Sequence, residues 1–228
     1  MSEEVLYDQQ VIAFLEEIWG DGFLSPGGAD EVRRVLQGVT IDGKTVIDIG
    51  CGSGACAILL AKEYNAKGVI GIDVEKPVCD AAITRVEADG VSEKVTIRLV
   101  EPGPLPFAND EVDVVFSKDA IIHIPDKETM ALDAFRILKP GGQFAASDWL
   151  ISHDNDPSPQ MADYIKAEGL DFAMASPRRY ANAMKKAGFI DIELVNRNSW
   201  YANEAEKELQ WLKGSDRAKL QERHGQEF

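Results

Sequence analysis

Two stretches of this chain combine residue types at spacings that support chemistry. In "FSKDAIIHI" Asp119 precedes His123 by four positions, so one helical turn would set a carboxylate and an imidazole on the same face. An imidazole titrates near neutrality, at about 6.5, and can take a proton from a nucleophile. In "VIDIGCGSG" the glycines Gly50, Gly52 and Gly54 follow Asp48 and let the backbone pass close to a ligand. Gly50-x-Gly52-x-x-Ala55 also fits the loose dinucleotide pattern. Asp48, two residues before the first glycine, would repel a pyrophosphate there. An alternating G-x-G-x-G behind an acid suits a positively charged ligand without phosphate. S-adenosylmethionine is one, with sulfonium and ammonium at one end and adenosine at the other. Asp73 follows Asp48 by 25 residues, where an acid binds ribose hydroxyls or caps a helix, and Glu101 is placed to reach an adenine amino group.

These residues need strands to hold them. "KTVIDIG", "GVIGIDV", "KVTIRLV", "EVDVVFS" and "GGQFAASDWL" read as strands, separated by helical stretches such as "GACAILLAKEY", "KPVCDAAITRVEADG" and "KETMALDAFRIL". Strands alternating with helices predict an α/β, doubly wound, mostly parallel sheet with right-handed crossovers. The glycine loop then lies at the carboxyl end of the first strand, where such sheets bind ligands. Residues 1–42 predict a helical leader: "YDQQVIAFLEEIWG" has apolar residues at helical spacing, and "SPGG" forces a turn before a second helix near Asp30. The remainder, 43–228, reads as one domain with a helical insert around 158–175. A helix from Ser176 to Gly188, a further strand at "IDIELVNRN", a helix at "NEAEKELQWLKGS" and a frayed polar tail complete the expectation.

Composition narrows the partners. The formal net charge is −15, which disfavours nucleic acid and anionic membranes. No apolar run approaches the roughly 20 residues of a membrane span. "MSEEVLYDQQ" is too acidic for a signal or transit peptide. The three cysteines, Cys51, Cys56 and Cys79, form no CxxC pair, so neither a disulfide framework nor a metal site is expected. A reducing, cytoplasmic setting follows as the expectation.

"VIDIGCGSG", "GIDV", the acid after the third strand and "LKPGG" resemble, in order and spacing, the class I S-adenosylmethionine-dependent methyltransferases, over roughly residues 44 to 195. "YDQQVIAFLEEIWGDGFLSPGG" with "SKDAIIHI" is more narrowly similar to the phosphoethanolamine N-methyltransferases. That resemblance implies a leader acting as a lid over the donor. Its donor-contacting positions are Ser25, Asp48, Gly50, Gly52, Asp73 with Val74, Glu101 with Pro102, and Lys118. It implies catalytic roles for His123 paired with Tyr7, and Asp119 facing the amine. S-adenosyl-L-homocysteine would be the product.

The sequence departs from that family where phosphate is held. Glu168 and Leu170 stand where the family has Arg and Tyr, Trp149 replaces a Tyr, and Leu6 and Leu15 replace a Gln and a Tyr. Tyr164 is kept. A basic last strand is also missing, and the apolar edge it would leave suggests a homodimer. Phosphate needs charge-assisted donors, which Lys166, Arg178 and Arg179 remain to supply. Trp149, Tyr164, Glu168 and Asp119 suit a small amine better, since Trp faces attract ammonium groups. The reading is therefore a small-amine N-methyltransferase. Phosphoethanolamine or glycine-like acceptors are the alternatives, as is a non-catalytic module that senses the donor.

Overall fold

The computed structural model describes residues 7–170, 172–214 and 217–225. Five strands, β1 (Thr45–Ile49), β2 (Gly68–Asp73), β3 (Val95–Leu99), β4 (Val112–Lys118) and β5 (Leu138–Ser147), form one all-parallel sheet in the order β3-β2-β1-β4-β5. The order reverses at β1, which pairs with β2 on one side and β4 on the other. That is the crevice position of a doubly wound sheet.

Burial on both faces explains the apolar runs in the central strands. On one face Val46, Val69, Val114 and Phe116 pack beneath α2 (Gly28–Val35), α3 (Ala55–Lys62) and α4 (Lys76–Ala88). On the other Ile47, Ile49, Ile72 and Val115 pack against Ala134 and Ile137 of α5 (Lys127–Ile137). α5 in turn buries Met130 and Ala131 against Tyr180, Ala183, Met184 and Ala187 of α7 (Pro177–Ala187). α7 is capped as expected: the Ser176 side chain accepts from the Arg179 amide, and Gly188 ends the helix in the left-handed region.

The leader holds α1 (Gln9–Trp19), capped by Asp8, before α2. α1 is fixed to the domain by Glu16, which accepts from Ser53 Oγ and pairs with Arg85 at 2.6 Å. The carbonyl of Gly22 accepts from the Ala55 amide at 3.3 Å. The leader thus lies across the glycine loop.

Four expectations are corrected. "IDIELVNRN" forms no strand: Ile190 is 83% exposed, and Leu194 and Val195 are exposed without ladder partners. An apolar, β-branched segment gains strand structure only from a neighbour, and here it has none. The fifth strand is not "GGQFAASDWL" but starts three residues earlier, at Leu138, and stops at Ser147, with an irregularity where Val112 pairs Leu138 while Val114 pairs Gln143. Pro140 has no N–H to give the ladder and Gly141 takes a left-handed conformation, so the strand bulges there. The insert's helix is α6 (Pro159–Glu168), stopped at Gly169 short of the expected range. The tail is ordered as far as it is described. After α8 (Asn198–Lys213), α9 (Arg217–His224) buries Leu220 and His224, and His224 Nε2 meets Glu17 of α1 at 2.7 Å.

Candidate active site

The carboxyl ends of β1, β2 and β4 carry the acids and glycines that the sequence singles out. Gly50 and Cys51 turn off β1 by donating to the Ile72 carbonyl. Gly50 has φ +69°, and a Cβ there would lie 2.1 Å from that of Ala120. Only glycine fits, which keeps the loop pressed into the crevice. Asp48, beneath the loop, is 1% exposed, and its Oδ2 has no hydrogen-bond partner. Burial, then repulsion from Asp73, pushes its carboxyl up to about 7, with Lys118 opposing. A cation arriving at this loop would relieve both the orphaned oxygen and the charge penalty.

Asp73 ends β2 and does two things at once. Its Oδ2 accepts from the Gly52 amide and its Oδ1 from the Glu75 amide at the start of α4, each at 3.0 Å. Asp73 is not the helix cap, which is Glu75; it holds the turn ahead of α4, and its carboxylate keeps lone pairs for further donors. Burial raises its pKa, against the lowering effect of these amide bonds. The Val100 amide donates to the Asp73 carbonyl, which sets exposed Glu101 and Pro102 beside exposed Val74. These positions face outward from the strand ends and are open to a ligand.

At the end of β4, Lys118 is buried and bonds three groups: the Ser25 carbonyl, Ser25 Oγ and Asp119 Oδ2, the last at 2.9 Å. It pins the "SPGG" turn of the leader to the strand end. Asp119 takes φ +56° and also accepts from Ser147 Oγ at 3.1 Å.

The helical turn expected between Asp119 and His123 is absent. The chain instead makes a short 3₁₀ turn, Ile121–His123, so the four-residue spacing does not stack the two side chains. The imidazole is oriented otherwise: Nδ1 meets the Leu170 carbonyl at 2.9 Å. A carbonyl only accepts, so Nδ1 carries the proton in the neutral ring and Nε2 carries the lone pair.

The turn has a foundation that sequence reasoning missed. Lys127 is fully buried and donates to the carbonyls of Ile121 and Ile124, each at 2.6 Å. Asp148 Oδ1 accepts from the Ile122 amide at 3.0 Å, and its other oxygen accepts from the Tyr180 hydroxyl. Burial depresses Lys127 to about 8 and raises Asp148 to about 6. Opposite charges at a helix start and a strand end were the available signal. The 20 residues between them hid it.

Three of the substrate candidates are gathered with aromatic partners the sequence did not nominate. Trp149 meets Tyr201 of α8 edge-on at 4.9 Å between centroids, and Phe172 at 5.8 Å; Phe172 meets His123 at 5.4 Å. Tyr164 lies close enough to Glu168 and Tyr201 that they add to burial in raising its hydroxyl's pKa. Tyr7 lies close enough to Asp73, Glu75 and Glu168 that they add to burial in pushing its hydroxyl up to about 12. His123 also acts on Asp73, so Tyr7 and His123 share that acid as a neighbour. Leu15 lies on α1, and Leu6 lies outside the described residues. Arg178 is turned to Asp154 and Arg179 to Glu128. Among the described residues no cluster of His, Cys, Asp and Glu forms a metal site, and no helix is long and apolar enough to cross a membrane.

The methyltransferase domain family matches residues 41–211. Phosphoethanolamine N-methyltransferase 1 of Arabidopsis thaliana is 30% identical over 91% of this chain and 41% of its own length. The Triticum aestivum protein of the same name is 31% identical over the same shares. The chain thus spans about two fifths of these relatives. Haemonchus contortus phosphoethanolamine N-methyltransferase 2, solved with S-adenosyl-L-methionine, superposes with a TM-score of 0.83 at 27% identity, over 92% of this chain and 48% of that one. A Galdieria sulphuraria structure described as a putative sarcosine dimethylglycine methyltransferase shares the fold, with a TM-score of 0.74 at 18% identity over 91% of its length. With a 3-2-1-4-5 parallel sheet, a glycine loop over a buried acid at the switch point and this family match, the chain belongs to the class I, S-adenosylmethionine-dependent methyltransferases.

Proposed function

We propose that this protein transfers a methyl group from S-adenosylmethionine to the nitrogen of a small amine. The observation that carries the reading is the Asp48 carboxylate, buried with one orphaned oxygen directly beneath a glycine loop that admits no side chain at Gly50. That is a seat for a positive charge. In this reading Asp73 and Glu101, at the neighbouring strand ends, take the ribose and the adenine. Gly52 bonds Asp73 and Ser25 bonds Lys118, so the loop and the leader close on the same crevice.

The donor, when bound, supplies an electrophilic methyl on a sulfonium. This chain's residues then have three tasks. The leader, latched by Glu16 and Lys118, shuts over the crevice and excludes water. Tyr7 joins that closure from the leader side and pairs with His123. His123 Nε2 accepts the proton that a neutral-pH amine carries, which frees its lone pair, while the Leu170 carbonyl keeps the ring in the right tautomer. Asp119 and Glu168 hold the amine while it is still an ammonium.

The relatives named for phosphoethanolamine support an amine acceptor. Conversion of labelled S-adenosylmethionine in the presence of an amine panel tests the reading. We expect His123→Ala to lower turnover by ~10²–10⁴ with donor affinity kept, and Asp73→Ala to weaken donor binding by ~1–3 kcal/mol. Tight donor binding with no transfer to any amine would replace the enzyme with a donor-sensing module.

A further inference from the structure

The acceptor's chemical class is written in the wall facing His123, and this inference rests on the methyltransferase reading above. From His123 the rings of Phe172, Trp149 and Tyr201 follow one another at centroid spacings of 5.4, 5.8 and 4.9 Å. Phe172 comes from the loop after α6, Trp149 from two residues past β5 and Tyr201 from α8, so three separate segments converge on one line of rings. Tyr164 lies beside Tyr201 and Glu168, both of which act on its hydroxyl.

Carboxylates gather around this wall. Glu208, Glu168 and Asp119 act on Tyr201, and Asp73, Glu75 and Glu168 act on Tyr7. The nearby cations are already engaged. Lys118 holds Asp119 and Ser25; Arg178 holds Asp154; Arg179 holds Glu128. Arg197 pairs with buried Glu31 at 2.6 Å and lies 4.5 Å over the Trp200 ring. Lys166, on exposed α6, lines a hollow shared with Phe172.

We propose that the acceptor is an unphosphorylated amine whose cationic head packs against Trp149, Phe172 and Tyr201 beside Asp119 and Glu168, with Phe172 and Tyr201 as specificity-determining residues. Methyl transfer forms a carbon–nitrogen bond as a carbon–sulfur bond breaks, the electron pair leaving with sulfur, so positive charge arrives on nitrogen. Aromatic faces and carboxylates stabilise that charge where it develops and accept added methyl groups without needing N–H donors from the ligand. A phosphate on the same molecule would meet Glu168, while Lys118 is held by Asp119 and Arg178 and Arg179 are held by Asp154 and Glu128, so the paired donors that phosphates require are engaged elsewhere.

The test uses choline and phosphocholine as probes on the full chain with S-adenosylhomocysteine present, followed by calorimetry and tryptophan fluorescence. The wild-type comparison needs no variant: choline is expected to bind at least tenfold tighter than phosphocholine. Tyr201→Ala and Phe172→Ala should each weaken choline about tenfold with S-adenosylhomocysteine affinity unchanged, and Tyr201→Phe, which keeps the ring, should retain most of it. Phosphocholine binding as tightly as choline or tighter overturns the proposal, most directly if Lys166→Ala then abolishes it. Binding of S-adenosylhomocysteine with neither probe bound also overturns it, and leaves the methyltransferase reading standing. Failure to bind S-adenosylhomocysteine at all sinks that reading and this one together.

Discussion

Asp48 concentrates the site's electrostatics in one side chain. Its carboxyl is raised from 3.8 to about 7 by burial and by Asp73. Between those values the folded protein binds the extra proton, so this group lowers stability as pH rises through that window. A cationic ligand reverses the preference, because it favours the ionised form. Donor affinity should therefore strengthen as pH rises toward about 7, falling roughly tenfold per unit below it if only the carboxylate form binds. Calorimetric titrations with S-adenosylmethionine between pH 5.5 and 8 would show this, and Asp48→Asn should flatten the profile. A flat profile in the unsubstituted protein would mean that Asp48 does not face the donor's charge.

At the scale of elements, two devices set the site's shape. The first is the 3₁₀ turn beneath His123, held by Lys127 and Asp148. Lys127→Met leaves the Ile121 and Ile124 carbonyls without their donor, at a cost of ~2–3 kcal/mol. It should lower kcat through the displaced imidazole while the donor Kd stays put, read by urea unfolding alongside steady-state kinetics. Equal damage to donor binding would mean that the turn supports the whole crevice rather than His123. The second device is α1, whose Glu16 ties the leader to Ser53 and Arg85. Arg85 and Glu16 are both largely buried, so the pair is worth more than a surface contact. Glu16→Ala should speed donor release about tenfold, measured by stopped-flow fluorescence; an unchanged rate would show that the leader stays shut without it.

The whole molecule leaves β5 at the edge of its sheet, with the extended segment around Ile190–Val195 unpaired and apolar. Because Ile190, Leu194 and Val195 bury little within this chain, Ile190→Lys and Val195→Lys should change its own stability by less than ~0.5 kcal/mol. If copies associate through this face, the same changes should shift sedimentation toward the monomer. A large fall in melting temperature instead would mean that the segment packs within the chain more than its exposure indicates. The candidate crevice lies at the carboxyl ends of β1, β2 and β4, and Ser147 at the end of β5 reaches it through Asp119.

Local pattern was enough for much of this protein. Alternating strand and helix periodicities set the doubly wound sheet, and Asp48, Gly50 and Asp73 were legible because a strand-exit loop needs glycine and acid at short range in the chain. What failed or stayed hidden depended on partners far apart in sequence. The segment at Ile190 has strand composition but no neighbouring ladder. The Asp119–His123 spacing looked helical until Asp119 took a left-handed turn toward Ser147 and Lys118. Tyr201 is 52 residues from Trp149, and no periodicity announces their contact. Residue types and loop chemistry are written along the chain; which imidazole nitrogen is held, and which rings face it, follow only from packing β5, the loop after α6 and α8 against one another.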